Sequence, residues 1–199
     1  MVSKRSRNPR GSGEQLREDL IRVASELLER PQVVEAPSLR QIALSTGIAP
    51  SAVYTRFRSG EELLQAVIDA QYSLLRDEVR SAVSSSNTAI LNLETIAITY
   101  VNWGIRHPGI YQLLFESADQ LPDGLIANGP GIELLAEIAP FISEHTGCSD
   151  ELSQRTTLRL WAALHGITSL RIHKKHAPWS TNVEDEARTS VRAFLRELS

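Results

Sequence analysis

Residues 38–63 read SLRQIALSTGIAPSAVYTRFRSGEEL and contain two short helical patterns separated by a glycine. The first pattern begins at Ser38, whose hydroxyl is of the type that caps the free N–H groups of a helix start. The apolar stripe of this pattern consists of Leu39, Ile42 and Ala43. Gly47 follows where a left-handed residue is needed to end a helix, so the stretch predicts a helix and then a tight turn.

The second pattern begins at Pro50, which suits the first helical position because an N–H there would have no partner. Val53 and Phe57 are spaced to face inward together. Ser59 and Glu62 then form a capping box for a third helix. Two helices joined by a short turn are the layout of a helix-turn-helix, whose second helix lies in the DNA major groove.

The outer face of this predicted motif holds our candidates for DNA contact. They are Ser38, Arg40, Pro50, Ser51, Ala52, Tyr54, Thr55, Arg56 and Arg58. We expect Tyr54 and Arg58 to touch phosphates. Base edges are the expected partners of Ser51, Ala52 and Thr55. Arg40 and Arg56 are candidates for either kind of partner.

The run from Gly47 to Ser59, leading into Glu61-Glu62-Leu63, resembles the DNA-binding signature of the tetracycline-repressor (TetR) family. Its specific part is Tyr-x-x-Phe-(Lys/Arg)-Ser followed by two acidic residues and Leu, and the resemblance extends over about residues 14–70. Two C-terminal segments, Trp161–Gly166 and His107–Phe115, resemble a subfamily of TetR ligand-binding domains with a Trp-x-x-x-His-Gly element. The resemblance implies a homodimeric transcriptional regulator with a C-terminal domain that dimerises and binds a small-molecule effector.

Charge is distributed unevenly along the chain. Residues 1–60 carry ten Lys/Arg and six Asp/Glu, a net charge of +4, whereas residues 61–199 carry a net charge of −7. A basic end on an acidic body is typical of a nucleic-acid-binding module joined to a part that does not touch nucleic acid. We therefore expect a disordered basic arm at 1–13, a DNA-binding domain at 14–60 and a ligand-binding and dimerisation domain at 61–199. The arm either follows the DNA or is an idle solvated tail.

No strand pattern is present, and the periodicity predicts an all-α protein. Beyond the motif, helices are expected at residues 14–30, 60–82, from an Asn87 cap, from His107-Pro108, at 131–145, from a Ser149 cap to 175, and at 183–198. Leu16, Leu20, Val23, Ala24, Leu27 and Leu28 should face inward in the first helix. Pro140 should kink its helix or mark a boundary. Loops are expected at 31–37 and 119–131.

Ala162, Gly166 and Ser169 form a stripe of small residues on one predicted helix. Small residues allow another helix to approach closely, so this helix and the last one are candidates for a two-fold dimer interface. The alternative is that the stripe packs within one subunit.

A ligand pocket is expected where aromatic and polar-tipped residues converge between the motif and this interface. The candidates are Tyr100, Trp103, His107, Tyr111, Phe115, Trp161 and His165. The competing interpretation is that these residues form ordinary core, in which case the pocket lies along Leu134 to Phe141. The preferred ligand is mostly apolar, with one or two hydrogen-bonding groups.

Other functional classes find little support in the sequence. His173 and His176 share a helix face but lack a carboxylate at helical offset, so no metal site or cofactor is expected. There is no phosphate-binding glycine loop, serine elbow or Cys–His arrangement, and we expect no enzyme activity. The lone Cys148, with no signal peptide or long apolar run, predicts a cytoplasmic protein.

Together these patterns predict a repressor that a small molecule releases from double-stranded DNA with a pseudo-palindromic operator. The alternative is a helical ligand-binding or interaction protein without DNA binding. The basic outer face of the motif favours the first interpretation.

Overall fold

A computed structural model describes residues 12–30, 38–117, 121, 125, 130–179 and 181–198. Every regular element within those ranges is an α-helix, which confirms the all-α prediction. The helices are α1 (Ser12–Leu27), α2 (Leu39–Thr46), α3 (Pro50–Tyr54), α4 (Gly60–Ala82), α5 (Ala89–Arg106), α6 (Pro108–Phe115), α7 (Pro130–Thr146), α8 (Asp150–His173) and α9 (Val183–Arg196). Most of the predicted basic arm, the 31–37 loop and much of the 119–131 loop lie outside the described residues.

Helices α1, α2 and α3 form the N-terminal part of the fold. Gly47 ends α2 in the left-handed conformation with φ 67°, and Pro50 stands at the start of α3, as predicted. Val53 and Phe57 are fully buried against α1 and α4 residues of the core. Two expectations here were wrong. The Ser38 side chain makes no capping hydrogen bond, and Leu27 is 47% exposed because it lies beside the buried stripe formed by Leu20, Ala24 and Leu28.

The start of α4 is fixed by a modified capping box. Ser59 Oγ accepts a hydrogen bond from the Glu62 N–H at 3.2 Å, as predicted. The Glu62 carboxylate accepts from the N–H of Arg58 at 2.7 Å rather than from Ser59 itself. This carboxylate therefore holds the residue that leads from α3 into α4, which fixes how the motif joins the long helix.

Helix α4 continues from the motif into the C-terminal part, where it packs on α5, α6 and α7. Helix α5 is central and contacts α4, α7, α8 and α9. Its N-cap is Thr88 rather than the predicted Asn87, whose side chain instead donates to the buried Asn92. The Asn92 side chain also accepts from the N–H of Ser84 and donates to its carbonyl. Because the Asn87 side chain is part of this polar cluster, it does not cap the helix.

Helix α7 continues through Pro140 to Thr146, so the proline does not end it. A proline deprives the carbonyl four residues earlier of its donor. That carbonyl belongs to Ala136, which is exposed like Pro140, so water can take the place of the missing N–H. None of the helices in the described ranges combines the length and apolarity that crossing a bilayer requires.

Candidate DNA interface, cavity and dimer face

The predicted DNA-contact residues lie on the outside of the motif. Those exposed to solvent are Ser38, Arg40, Pro50, Ser51, Tyr54, Thr55, Arg56 and Arg58, whereas Ala52 is half-buried. Thr55 Oγ1 donates to the carbonyl of Ala52 at 2.6 Å, so its proton is already engaged. At a base edge Thr55 therefore offers an acceptor oxygen and a methyl group.

Most arginines of the helical body are ion-paired, unlike those on this face. Among the described residues, the guanidinium groups of Arg40, Arg56 and Arg58 form no ion pair, whereas Arg80 pairs with Glu137 at 2.5 Å and Arg171 with Glu186 at 2.8 Å. Cations left unneutralised on one face are the electrostatic footprint expected for phosphate binding.

Arg56 has a second contact that the sequence did not suggest. Its guanidinium lies against Gly13 near the start of α1 and leaves no room there for a Cβ. The guanidinium of Arg17 lies over the Phe57 ring at 5.3 Å. Arginines thus also hold α1 against α3 and the following turn, which makes Arg56 a less exclusive candidate for DNA contact than Arg58.

A cavity of about 330 Å³ lies among α4, α5, α6, α7 and α8. Three of the predicted ligand residues line it, namely Tyr100, Phe115 and Trp161. The rest of the wall includes Tyr72, Thr157 and aliphatic side chains of α5, α7 and α8. Leu134, Leu135 and Ile138 are among them, so the α7 region named as an alternative contributes to the same cavity.

Trp103, His107, Tyr111 and His165 do not line this cavity, which corrects the expectation of one shared pocket. Trp103 is buried, 2% exposed, with its ring 5.4 Å from that of His107. The helical spacing of these residues suggested that they line one pocket. In the structure the side chains of Trp103 and Tyr111 are instead buried in the core, and that of His107 is directed to Glu29 after α1.

Tyr111 and His165 instead form a hydrogen-bonded network behind the cavity wall. Trp161 Nε1 donates to the Tyr100 hydroxyl at 3.1 Å, and the Tyr100 and Tyr111 hydroxyls are 3.1 Å apart. The Tyr111 hydroxyl lies 2.6 Å from His165 Nδ1. Burial lowers the pKa of His165, and the nearby Glu116 carboxylate opposes that change. His165 is therefore neutral near pH 7 and its Nδ1 can accept the Tyr111 proton.

His107 joins the N-terminal and C-terminal parts of the fold. Its Nδ1 lies 2.9 Å from Glu29 Oε1, just after α1. The Gly109 N–H donates to the Glu29 carbonyl at 2.9 Å, and the backbone after α1 leaves no room for a Cβ on Gly109. This segment is therefore a close backbone junction between α1 and α6 and not a ligand site.

Tyr72 and Thr157 are cavity residues that the sequence analysis missed. Tyr72 lies on the buried stripe of α4 and donates its hydroxyl to the Leu114 carbonyl at 3.2 Å. Thr157 donates to the Ser153 carbonyl at 2.8 Å. The sequence did contain a signal for Tyr72, which shares the buried stripe of α4 with Leu75 and Val79. A buried tyrosine hydroxyl needs a hydrogen-bond partner, so its presence on that stripe indicates a polar contact inside the fold.

Two residues of the small-residue stripe of α8, Ala162 and Gly166, face outward, whereas the Ser169 side chain hydrogen-bonds Glu116 within the subunit. Ala162 is exposed, and a Cβ added at Gly166 would meet no atom within 4 Å. Leu158 and Leu170, on either side of the stripe, are about half exposed. In the described part of the chain, the side of α8 that carries Ala162 and Gly166 is therefore open to a partner helix.

His173 is the last residue of α8 and His176 lies beyond its end, so the two do not share a helix face as predicted. His173 Nε2 lies 2.9 Å from Glu116 Oε2, so a carboxylate from the end of α6 pairs with it. Within the ranges the structure describes, no three His, Cys, Asp or Glu side chains are grouped to hold a metal ion.

A motif with unpaired arginines, joined by one long helix to a helical body with its own cavity, defines the class of helix-turn-helix regulators. A sequence profile described as "Tetracyclin repressor-like, C-terminal domain" matches residues 93–194. The chain belongs to this tetracycline-repressor-like family. The narrower resemblance to the Trp-x-x-x-His-Gly subfamily stays a prediction.

Known relatives share this architecture. The chain is 21% identical over 106 residues to the nucleoid occlusion factor SlmA of Haemophilus ducreyi, covering 53% of this chain and 52% of that protein. The chain thus spans about half the length of this curated relative. A TetR-family transcriptional regulator from Streptomyces coelicolor has the same fold, with a TM-score of 0.72 and 17% identity over 91% of this chain and 79% of that one. A TetR transcriptional regulator from Legionella pneumophila gives a TM-score of 0.68 and 17% identity over 98% and 100%.

Proposed function

We propose that this protein is a homodimeric transcriptional repressor that leaves its DNA operator when a small molecule fills the cavity. The observation that carries the proposal is the position of α6. Leu114 and Phe115 at its C-terminal end line the cavity, while Gly109 at its N-terminal end is bonded to the backbone after α1. One short helix therefore contacts both the ligand site and the DNA-binding part.

Helix α4 supplies a second connection. Leu63 and Leu64 near its start are buried in the core with the motif residues, and Tyr72 and Val79 farther along line the cavity. A ligand that fits best when α4 and α6 are displaced shifts the population toward a state with altered motif spacing. The ligand acts only through its differential affinity for the two states.

DNA binding rests on the face with Arg40, Arg56 and Arg58. In a two-fold dimer formed through α8 and α9, two copies of α3 lie in successive major grooves of a pseudo-palindromic site. Ser51 and Thr55 then read base edges, and Tyr54 and Arg58 touch phosphates. The outward-facing part of the small-residue stripe of α8 supports this arrangement.

Selection of binding sites from random DNA, followed by footprinting, tests the proposal. We expect a pseudo-palindrome whose half-site centres lie about one helical turn, or a multiple of it, apart. Recovery of no preferred sequence, with weak binding that varies only with salt, would favour the alternative of a helical interaction protein. That alternative has no observation in its favour beyond the presence of a cavity.

A further inference from the structure

We propose that the cavity selects uncharged ligands that carry a hydrogen-bond donor, because the polar side chains of its wall offer acceptor atoms and no free proton. The inference rests on the proposed function, since it specifies the ligand of that site. It follows from the hydrogen bonds that the hydroxyl and indole protons of the wall side chains already make.

Two wall hydroxyls have given their protons to backbone carbonyls. Tyr72 donates to the Leu114 carbonyl at 3.2 Å, and Thr157 donates to the Ser153 carbonyl at 2.8 Å. A carbonyl oxygen only accepts, so the direction of both bonds is certain. Both hydroxyl oxygens keep lone pairs but have no proton to offer to a ligand.

The third wall hydroxyl, that of Tyr100, belongs to the network behind the wall. Trp161 Nε1–H only donates, so Tyr100 must accept its bond at 3.1 Å. When neutral His165 accepts from Tyr111 at Nδ1, the Tyr111 proton is used and Tyr100 donates to Tyr111. The protons then run in one direction from Trp161 to His165.

The other histidine tautomer gives Tyr100 the same role. If His165 Nδ1 donated to Tyr111, the Tyr111 hydroxyl could donate to the His165 carbonyl at 3.4 Å and would still accept from Tyr100. Because buried polar groups are almost always paired, the Tyr100 proton is given to Tyr111 in both arrangements. Tyr100, which accepts from Trp161, then has one unused lone pair and no free proton.

The wall also lacks charge. In the described part of the chain, the residues that line the cavity are Tyr, Phe, Trp, Thr, Gly and aliphatic types. Burial raises the pKa of Tyr72 to about 12 and also raises the pKa of Tyr100, so neither is a phenolate near pH 7. An ionised ligand would lose its hydration here without gaining a counter-charge, which is costly in an apolar site.

The volume of the cavity and the residues at its entrance further restrict the class of ligand. A volume of about 330 Å³ lies near the lower end of small-molecule sites, which span ~300–1,000 Å³. Ile132 and Leu158 are wall residues that are also largely exposed, which marks an apolar entrance between α7 and α8. The structure therefore fits a small phenol, alcohol or secondary amide with an apolar body.

Calorimetric titration of the full chain with 4-butylphenol and its methyl ether, 4-butylanisole, tests this inference. The two probes share one body, and only the phenol has a donor. We expect the phenol to bind about twofold to tenfold more tightly, the range a single net hydrogen bond supplies. Equal or tighter binding of the ether would overturn the donor rule alone. Tighter binding of 4-butylbenzylammonium would overturn the requirement for neutrality.

If none of the three probes binds, the cavity is not a ligand site, and the proposed function fails with the inference. If the probes bind but the phenol shows no advantage over the ether, the inference about the donor fails and the proposed function is unaffected. The two failures are therefore distinguishable in one set of titrations.

A Tyr100→Phe variant should change which of the two probes binds more tightly, which is a more specific result than a loss of binding. It removes the acceptor of the Trp161 N–H and so places a free donor on the cavity wall. We expect the preference to fall or reverse toward 4-butylanisole. Thr95→Val is the matched control, because it removes a hydroxyl on α5 that bonds the Leu91 carbonyl away from the cavity. An unchanged preference in a folded Tyr100→Phe protein would contradict the inferred proton direction.

Discussion

Arg58 carries the clearest single-residue evidence for DNA contact. Its guanidinium is exposed and unpaired within the described residues, and its backbone N–H is fixed by the Glu62 carboxylate that orients the turn. A charge held at a defined place without a protein partner neutralises phosphate at little conformational cost. The same residue type in α4, Arg80, is instead neutralised by Glu137.

We expect Arg58→Ala to weaken binding to all DNA sequences by a similar factor and to reduce the salt slope by about one. Fluorescence anisotropy over a range of salt concentrations measures both quantities. Arg80→Ala is the control and should leave the slope unchanged. An unaltered slope for Arg58→Ala would remove this residue from the set of phosphate contacts.

His165 makes stability depend on pH. Burial holds the folded-state pKa of His165 below its usual 6.5, against the opposing charge of Glu116, and Tyr111, Phe115 and Trp161 are its other ring contacts. Between those two pKa values the unfolded chain binds more protons than the folded one. The free energy of unfolding therefore falls as pH drops through 6.5 and is constant above it.

Thermal unfolding at about pH 7.5 and about pH 5.5 measures this effect, since the usual histidine pKa of ~6.5 lies between them. We expect the wild-type protein to be less stable at the lower pH. His165→Gln should reduce the difference, because glutamine does not titrate. A difference of the same size in that variant would assign the acid sensitivity to other groups.

At the scale of elements, α6 is the part whose role depends most on close packing. Its N-terminal end lies against the backbone that follows α1, so a Cβ on Gly109 would overlap the Leu28 carbonyl. The hydrogen bond between His107 Nδ1 and the Glu29 carboxylate supports the same junction from the side chains. Its other end forms part of the cavity wall.

Gly109→Ala should force α6 away from α1 and destabilise the fold by about 1–3 kcal/mol, the usual cost of overpacking. We also expect ligand to release DNA less completely, because the junction no longer connects the two sites. Gel-shift titration with 4-butylphenol measures the release. Glu29→Gln keeps the backbone bond and should have a smaller effect. Full ligand response in a folded Gly109→Ala protein would exclude α6 as the connection.

At the scale of the whole molecule, α8 has two opposite faces. Leu160 and Leu164 are buried in the subunit, while Ala162 and Gly166 lie on the open side. Leu158 belongs to both the open side and the cavity wall. Dimerisation through this face would therefore lie close to the ligand entrance, and the two events can influence each other.

Gly166→Leu should separate the paired helices without disturbing the subunit, because the added atoms meet open space in a single chain. We expect a monomer by sedimentation at low micromolar concentration, with unchanged helix content and weakened DNA binding. Ser81→Leu adds the same bulk at an exposed site of α4 and should remain dimeric. A dimeric Gly166→Leu protein would place the interface elsewhere.

Local signals in the sequence were enough for the element pattern. Gly47, Pro50, Ser59 and Ser149 act through their own backbone or the next turn, so their effects depend little on the rest of the chain. The outer face of the motif could be predicted for the same reason. The division into domains at residue 60 and the roles of individual DNA contacts stay predictions.

The cavity, the α6 junction and the hydrogen bonds that use the protons of the wall side chains were decided only by tertiary structure. The cavity wall comes from five helices, and the rotation of each about its axis depends on partners distant in sequence. Helical spacing grouped His107 with the aromatic residues, but its side chain hydrogen-bonds the carboxylate of Glu29, 78 positions earlier in the chain. Sequence periodicity gives the buried face of a helix, whereas contact between buried faces depends on how all the helices pack at once.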